Sequence, residues 1–325
     1  MPVTQQDIAD QVGVSRTLVA HALNGTHGSR ISADTQRVIC EAARRMKYQP
    51  RKLTTHNIGY VLPIASLKLQ AEATFVTYIE GELRRHGYRL VLAELDERNP
   101  EALRDSLNAK TVDGVIFMGW HGGAVQNILS PEVPYVLSSS EDGIPPEVPR
   151  VTIDVEETFA NLTRHLLELG HQHFGLVLRN SDNPSQRHVK QGVRDALRDA
   201  GLPTKNLQCL IASGQDAAMA LRKPNPPTAL IVAPPSHVLP EMYGLCRAGI
   251  RVPDDVSVAS AYDNFDFGRI QPHLTATNVF SKELAQILVR QMQQKIQDPG
   301  CSLPQVRLAG DVIARASTAP PPRRG

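Results

Sequence analysis

Apolar residues near the N-terminus recur at the spacing of two short helices. Ile8 and Val12 lie four residues apart, and Val19 and Leu23 repeat this interval after Gly13. The pattern predicts two amphipathic helices that bury their apolar faces against each other. Gly13 stands where the first helix has to end in a left-handed conformation, which glycine adopts most easily. The segment is therefore expected to form a helix-turn-helix, whose second helix enters the major groove of DNA.

Hydroxyl side chains mark the starts of these helices. Thr4 can cap the first helix together with the aspartate three residues on, and Ser15 can cap the second. Ser32 precedes a third helix, predicted over Ala33–Met46, which stops before Pro50 because proline disfavours helix in the residue before it. The alternative is that these segments are ordinary helices of a larger core.

After residue 57, short apolar runs alternate with amphipathic segments. This alternation of strands and helices predicts parallel sheets with crossover helices. The alternating series occurs twice along the chain, so we expect two doubly wound α/β lobes. Such lobes leave a ligand cleft at the carboxyl ends of their strands. The predicted strands are Ile58–Pro63, Arg89–Leu95, Gly114–Trp120, Tyr135–Ser139, Phe174–Leu178, Cys209–Ala212, Ala229–Ala233 and Val256–Tyr262, and the predicted helices are Phe75–His86, Pro100–Ala109, Glu157–Leu169, Pro184–Ala200, Gln215–Leu221, Leu239–Ala248 and Ser281–Gln297.

These elements divide the chain into a head, a linker, a core and a tail. The head is residues 1–50, the linker 51–57, the core 58–318 and a disordered tail 319–325. Within the core, lobe one is predicted over about 58–155 and 280–305, and lobe two over about 156–279 and 306–318.

Charge is distributed unevenly along the 325 residues. Residues 1–57 carry eight Lys/Arg against four Asp/Glu, whereas the remainder carries 27 basic and 29 acidic side chains. A basic head on a mildly acidic body favours binding to phosphate groups. The overall content of 41% hydrophobic and 21% charged residues is typical of soluble globular proteins.

Several other classes of chemistry lack their sequence signals. The four cysteines have no Cys-x-x-Cys spacing, no apolar run reaches membrane length, and no secretory leader precedes the head, which together indicate a cytoplasmic protein. Gly122-Gly123 lacks the spacing of a nucleotide fingerprint, His171-Gln172-His173 is a poor metal pair, and Ser138-Ser139-Ser140 has no nucleophile elbow. We therefore expect no enzymatic activity, no metal and no cofactor. The competing hypothesis is a solute-binding receptor or an α/β enzyme that retains a head-like segment.

Motifs along nearly the whole chain resemble the LacI-type, or lactose-repressor, family. The resemblance implies a periplasmic-binding-protein-like core that senses a small-molecule effector, and a homodimer that binds a near-palindromic operator as a transcriptional regulator, most simply a repressor. The motifs are Asp7-Ile8-Ala9, Gly13-Val14-Ser15, Val19, Leu23-Asn24-Gly25, Ser32-x-x-Thr35, Tyr48-x-Pro50, Ile58-Gly59, Gly81, Gly87-Tyr88, Asp113-Gly114-Val115-Ile116, Leu169-Gly170-His171, Val252–Val258, Pro272-x-Leu274-Thr275 and Arg315-x-Ser317-Thr318.

The resemblance also assigns DNA contacts to residues of the head. Arg16, Thr17 and His21 occupy the positions that reach base edges, and an arginine there can pair with guanine through two hydrogen bonds. Each of these side chains could instead be merely solvated or capping. The residues predicted to contact DNA, most of them at phosphates, are Thr4, Ser15, Arg16, Thr17, His21, Asn24, Arg30, Ser32, Thr35 and Leu53.

The linker departs from the family pattern. Only seven residues separate Pro50 from Ile58, about two helical turns fewer than the hinge helix of the family requires. Leu53 could be a remnant of the leucine that this helix inserts into the minor groove, although a plain short tether is the favoured interpretation.

The predicted effector cleft also departs from the family. Pro234-Pro235 replaces an Asn-Asp pair, and Val189 replaces an expected arginine, so we expect a ligand other than a hexose bound in the usual pose, or a sensing role that has drifted. A sugar or sugar derivative remains the class that the family implies. Asp263 could instead close a strand-end turn, and Trp120 could instead pack in the core. The candidate effector residues are Trp120, Ser139, Arg187 and Asp263.

Overall fold

A computed structural model gives the architecture of the chain. The protein forms two compact units, Met1–Thr54 and Thr55–Gly325. The structure describes residues 3–24, 31–46, 54–62, 70–94, 100–108, 111–119, 132–139, 143–179, 185–263 and 265–322.

The first unit contains the three predicted helices. They are α1 (Gln5–Val12), α2 (Arg16–Asn24) and α3 (Ala33–Arg45). A capping box of Thr4 and Asp7 begins α1, and Gly13 ends it with a φ of 74° in the left-handed region. The buried residues that hold the three helices together are Ile8, Ala9, Val19, Ala22, Ile39 and Ala43.

Lobe one of the second unit is built on a six-stranded parallel sheet. Its strands are β1 (Asn57–Leu62), β2 (Arg89–Glu94), β3 (Gly114–Met118), β4 (Tyr135–Ser138), β5 (Arg150–Ile153) and β11 (Val306–Leu308), in the order β11-β5-β4-β3-β1-β2. Apolar side chains of α4 (Gln70–Arg85) and α10 (Lys282–Gln297) cover one face. Leu103 of α5 (Pro100–Ser106) packs in the cluster on the other face.

Lobe two has a second six-stranded sheet with the order β12-β10-β9-β8-β6-β7. Its strands are β6 (Phe174–Leu178), β7 (Leu207–Ile211), β8 (Ala229–Val232), β9 (Ser257–Ser260), β10 (Thr275–Asn278) and β12 (Asp311–Ile313), of which only the β10–β12 pair is antiparallel. The helices α6 (Val155–Glu168) and α7 (Ser185–Asp199) pack on one face, and α8 (Asp216–Ala220) and α9 (Val238–Arg247) pack on the other.

The chain passes between the lobes three times: from β5 to α6, from β10 to α10, and from β11 to β12. Hydrogen bonds join the first and third passages, since the Asp154 N–H donates to the Leu308 carbonyl at 2.8 Å and the Gly310 N–H donates to Thr158 Oγ1 at 2.9 Å. The passages therefore lie side by side and connect the two lobes through hydrogen-bonded backbone.

The α/β fold and the helix-turn-helix head predicted from the sequence are confirmed. The assignment of residues 306–308 to lobe two is wrong, because β11 pairs with β5 and its Val306 and Leu308 pack in the core of lobe one. Asn57 was placed in the linker but begins β1. These differences arise at strands of three residues or at element ends, where periodicity carries little information.

The first residues of the predicted disordered tail are ordered against lobe two. The Ala319 N–H donates to Ser257 Oγ at 3.0 Å, and the Ala319 carbonyl accepts from His171 Nε2 at 2.8 Å. Disorder is therefore the wrong expectation for residues 319–322, while residues 323–325 lie outside the described part of the chain. None of the helices in the described ranges is long and apolar enough to span a bilayer.

Candidate nucleic-acid interface and ligand cleft

The second helix of the head buries one face and exposes its N-terminal turn. Val19 and Ala22 lie in the head core, whereas Ser15, Arg16 and Thr17 are exposed. A recognition helix needs this division, because its N-terminal side chains have to reach base edges while its opposite face packs on the preceding helix.

Two hydroxyl groups predicted to contact phosphates also cap helices. Ser15 Oγ accepts a hydrogen bond from the Leu18 N–H at 3.2 Å, and Ser32 Oγ accepts one from the Thr35 N–H at 3.2 Å. A hydroxyl that accepts from the backbone keeps its own proton for donation. Capping and phosphate binding are thus compatible at Ser15 and Ser32.

Of the remaining head candidates, the structure describes Thr4, His21 and Asn24. Thr4 is exposed, and it hydrogen bonds to Asp7 through both its N–H, at 2.7 Å, and its Oγ1, at 2.8 Å. Bonds from the backbone and side chain of Thr4 lower the pKa of Asp7. His21 is half-buried and Asn24 is the last residue of α2. Arg30 and Leu53 lie outside the described residues.

The predicted effector residues follow strands or begin a helix of the core. Ser139 follows β4 and is buried, with its N–H donating to the Val151 carbonyl at 3.2 Å. Arg187 is exposed in the first turn of α7. Trp120 lies outside the described residues.

Asp263 is held by a partner that sequence reasoning missed. Both of its carboxylate oxygens accept from Arg315, Oδ1 from Nη1 and Oδ2 from Nη2, each at 2.8 Å. Both side chains are 20% exposed. An ionised carboxylate has about four acceptor positions, so Asp263 keeps capacity for a ligand. The missed signal was Arg315 itself, which is 52 residues away and was noted only as part of a motif.

A second cation at the cleft was also missed. Arg179 directly follows β6, and its Nη2 donates to Ser236 Oγ at 3.3 Å in the turn that follows β8. Charged residues just after buried parallel strands lie at the edge of the sheet where ligands bind. That position in the sequence could have identified Arg179.

Aromatic rings line the passage between β10 and α10. The Tyr262 and Phe280 rings stack with centroids 6.0 Å apart, and the Phe75 ring lies 5.4 Å from Phe280. Tyr262 and Phe280 are only partly buried. Their rings offer apolar surface beside polar groups, a combination common in small-molecule sites.

A cavity of about 410 Å³ opens beside the first and third passages between the lobes. Arg307 donates to the Asp154 carboxylate at 3.0 Å, and His188 Nδ1 lies 2.7 Å from Glu156 Oε1. The buried Nε of Arg150 finds no acceptor among the described residues. The cavity wall therefore combines these charged groups with the apolar side chains of Ile144, Ile153 and Val155. No cluster of three or more potential metal ligands occurs in the described ranges.

Comparison with known proteins decides the family. Residues 4–51 match the model of bacterial regulatory proteins of the lacI family, and residues 163–318 match a periplasmic binding protein-like domain. The chain belongs to the LacI family of bacterial regulatory proteins.

Individual relatives cover almost all of this LacI-family chain. It is 26% identical over 295 residues to catabolite control protein A of Priestia megaterium, covering 85% of this chain and 87% of that protein. The structure of the regulator CelR with cellobiose covers 97% of this chain and 99% of its own, with 23% identity and a TM-score of 0.66. The structure of the lac repressor dimer bound to operator and an anti-inducer covers 98% of this chain and 100% of its own, with 24% identity and a TM-score of 0.65.

The LacI-family core also exposes an apolar surface on lobe two. Leu239 and Tyr243 of α9 are 48% and 65% exposed, and Met219 of α8 is 51% exposed. We call these three residues the α9 surface. Sequence reasoning missed it, because Leu239 and Tyr243 fit an amphipathic helix whose opposite residues, Val238 and Leu245, are the buried ones.

Proposed function

We propose that this LacI-family protein is a cytoplasmic transcriptional repressor, without enzymatic activity, that binds a near-palindromic operator as a homodimer. The observation that carries the proposal is the exposed first turn of α2, with Arg16 and Thr17 in solvent and Val19 buried. In this position Arg16 pairs with a guanine edge, and the neighbouring hydroxyls bind phosphates.

The other head candidates complete the proposed interface. Arg16, Thr17 and His21 read bases, and Leu53 is retained as a candidate for the minor groove. The proposed phosphate contacts are Thr4, Ser15, Asn24, Arg30, Ser32 and Thr35.

We propose that the α9 surface forms part of the dimer interface. Large exposed apolar side chains grouped on one face are typical of protein interfaces. A two-fold dimer would bring Leu239 and Tyr243 against the same surface of the second copy. The chain belongs to a family that includes an operator-bound repressor dimer, which supports a second copy of the chain as the partner at this surface.

We propose that a sugar or sugar derivative binds between the lobes and acts by changing their closure. CelR was solved with cellobiose, which supports a carbohydrate-like class. The cations Arg179 and Arg187 favour acidic derivatives, so sugar acids and sugar phosphates come first in a ligand screen. Trp120, Ser139 and Asp263 are the other proposed contacts.

Binding to DNA tests the proposal directly. Fluorescence anisotropy with fragments of the gene's own upstream region is expected to show a sequence-preferring, salt-sensitive complex. Arg16→Ala is expected to weaken that complex by about ten-fold to a hundred-fold.

Arg37→Ala is the matched control in the same head. The Arg37 guanidinium pairs with Glu41 at 3.4 Å on the surface of α3, so its removal should leave affinity nearly unchanged. Equal losses for the two variants, or no preference among promoter fragments, would contradict the proposed function.

A further inference from the structure

A buried carboxylate holds the chain at the point where it enters the core. Asp113 precedes β3 and is 2% exposed. Its Oδ1 accepts from the Thr55 N–H at 2.8 Å and from Thr55 Oγ1 at 2.9 Å, and its Oδ2 accepts from the His56 N–H at 3.0 Å. We call these three hydrogen bonds the Asp113 clamp.

The backbone makes a strained turn within the clamp. His56 has a φ of 57°, in the left-handed region that a residue with a side chain rarely adopts. Its carbonyl accepts from the Arg89 N–H at 2.7 Å, and Thr55 Oγ1 accepts from the Asn57 N–H at 3.2 Å. Strain of this kind persists only where surrounding contacts determine the conformation, and it concentrates at functional positions.

Two further hydrogen bonds beside the clamp join neighbouring strands. The Asp113 N–H donates to the Asn57 carbonyl at 2.8 Å, and Asn57 Nδ2 donates to the Thr111 carbonyl at 3.0 Å. The start of β1 is thus tied to the segment before β3 by both backbone and side chains. Thr55 and His56 are held in one position on lobe one, although they precede the first strand.

We infer that Asp113 is a positioning residue for DNA recognition, which fixes where the tether of the head begins and thereby sets the tolerated spacing between operator half-sites. The inference rests on the proposed function as a dimeric operator-binding protein. Asp113 acts through the tether and touches no DNA.

The length of the segment between the head and the core determines how strongly the clamp should affect half-site spacing. Eight residues lie between Met46, the last described residue of the head, and Thr55. Fully extended, this tether reaches at most about 30 Å. Without the clamp, Thr55 would join the tether, while the His56 carbonyl would stay bound to the Arg89 N–H, so the tether would gain about 3.5 Å per subunit and about 7 Å per dimer. One base pair rises about 3.4 Å, so each released residue corresponds to about one base pair of half-site spacing.

The variant Asp113→Asn breaks the clamp with little change in volume. Both carboxylate oxygens of Asp113 accept hydrogen bonds from N–H groups. In an asparagine, one of these oxygens would be replaced by an N–H₂ donor, which cannot accept from the facing N–H group. Val115→Ala is the control, because Val115 is buried in β3 and its truncation destabilises the same strand without touching the clamp. Thr55→Val removes the hydroxyl, and with it one donor to Asp113 and the acceptor of the Asn57 N–H, and serves as a graded second variant.

The experiment measures operator binding by the full-length dimer while half-site spacing is lengthened by one, two and three base pairs. For the wild type and Val115→Ala, two added base pairs are expected to weaken binding about ten-fold or more, since both heads can no longer engage. For Asp113→Asn the same change should weaken binding no more than about three-fold. Hydrogen exchange at the Thr55 and His56 amides should accelerate about ten-fold or more in Asp113→Asn alone.

The outcomes separate two failures. If Asp113→Asn keeps the wild-type spacing profile while its Tm falls as in Val115→Ala, the carboxylate is purely structural and the inference is overturned. If the wild type binds no spacing variant of any upstream fragment, it is the proposed function that fails. A flattened profile in Asp113→Asn with a sharp profile in Val115→Ala supports the inference.

Discussion

The sheet of lobe one has the order β11-β5-β4-β3-β1-β2, and that of lobe two has the order β12-β10-β9-β8-β6-β7. Each lobe thus places its own strands in the same spatial sequence. The sixth strand differs, because β11 is parallel to β5 whereas β12 is antiparallel to β10. Both sixth strands come from one stretch of chain around Gly310, where an added Cβ would lie 2.9 Å from Val279 Cγ2.

The two lobes carry different surfaces on this common topology. Lobe one receives the tether of the head through the Asp113 clamp, whereas lobe two carries the α9 surface and the ordered residues after Ser317. We therefore propose that equivalent sheets serve different tasks according to what their loops and outer helices present, as expected when function resides in sites added to a fold. The following experiments test this division of roles.

The largest effect is expected at the α9 surface of lobe two. Leu239→Asp would place a charge in the proposed apolar interface, and the dimer should dissociate at micromolar concentration in sedimentation velocity. Operator affinity should then fall about a hundred-fold or more, because one head binds without the other. Lys205→Asp, an exposed charge change elsewhere in lobe two, is the control. An unchanged dimer in Leu239→Asp would show that the interface lies elsewhere.

A smaller contrast is expected at two helical glycines. A Cβ on Gly192 of α7 would lie 2.1 Å from the Glu156 carbonyl oxygen, so Gly192→Ala has to push α6 and α7 apart. We expect it to lower the free energy of unfolding by roughly 1–3 kcal/mol or more. A Cβ on Gly81 of α4 meets no atom within 4 Å, and Gly81→Ala should stabilise lobe one by about 0.5–1 kcal/mol. Denaturant titration measures both, and equal effects would contradict the packing described.

The smallest effect is a pH dependence confined to lobe two. Burial lowers the pKa of His171, which contacts Thr228 and the Ala319 carbonyl, and burial also lowers the pKa of His165. Since the unfolded chain binds these protons more readily, stability should be full above the unfolded pKa of about 6.5 and should fall as pH drops below it. Thermal unfolding between pH 7.5 and about 5 measures this loss. His171→Gln should reduce the pH dependence of thermal stability. If the stability of this variant changes with pH as in the wild type, other groups cause the dependence.

The head was accessible to sequence reasoning because its signals are local. Gly13, the Thr4 capping box and the Val19 face each depend on neighbours within a few residues, and all three predictions are confirmed. The apolar strand Phe174–Leu178 was found equally well, with the predicted bounds, because it is a continuous apolar run. The strands β5 and β10, which contain polar residues, were not predicted.

The cleft and the lobe boundaries depend on contacts that are distant in the sequence. Arg315 reaches Asp263 across 52 residues, and the three-residue β11 gains its place only by pairing with β5. Exposure of Leu239 and Tyr243 likewise follows from which side of α9 meets the sheet. No local pattern encodes these choices, because either apolar side of such a helix could have packed inward.

The docking of α2 into DNA is the central claim, and a double-mutant cycle between Arg16 and the operator tests it most directly. Each base pair of a half-site is substituted in turn, and affinities are measured for the wild type and for Arg16→Ala. The account predicts one G·C pair whose substitution weakens wild-type binding about ten-fold to a hundred-fold but weakens Arg16→Ala binding less than about three-fold. If every substitution weakens both proteins equally, Arg16 reads no base and the assignment of α2 as the recognition helix is contradicted.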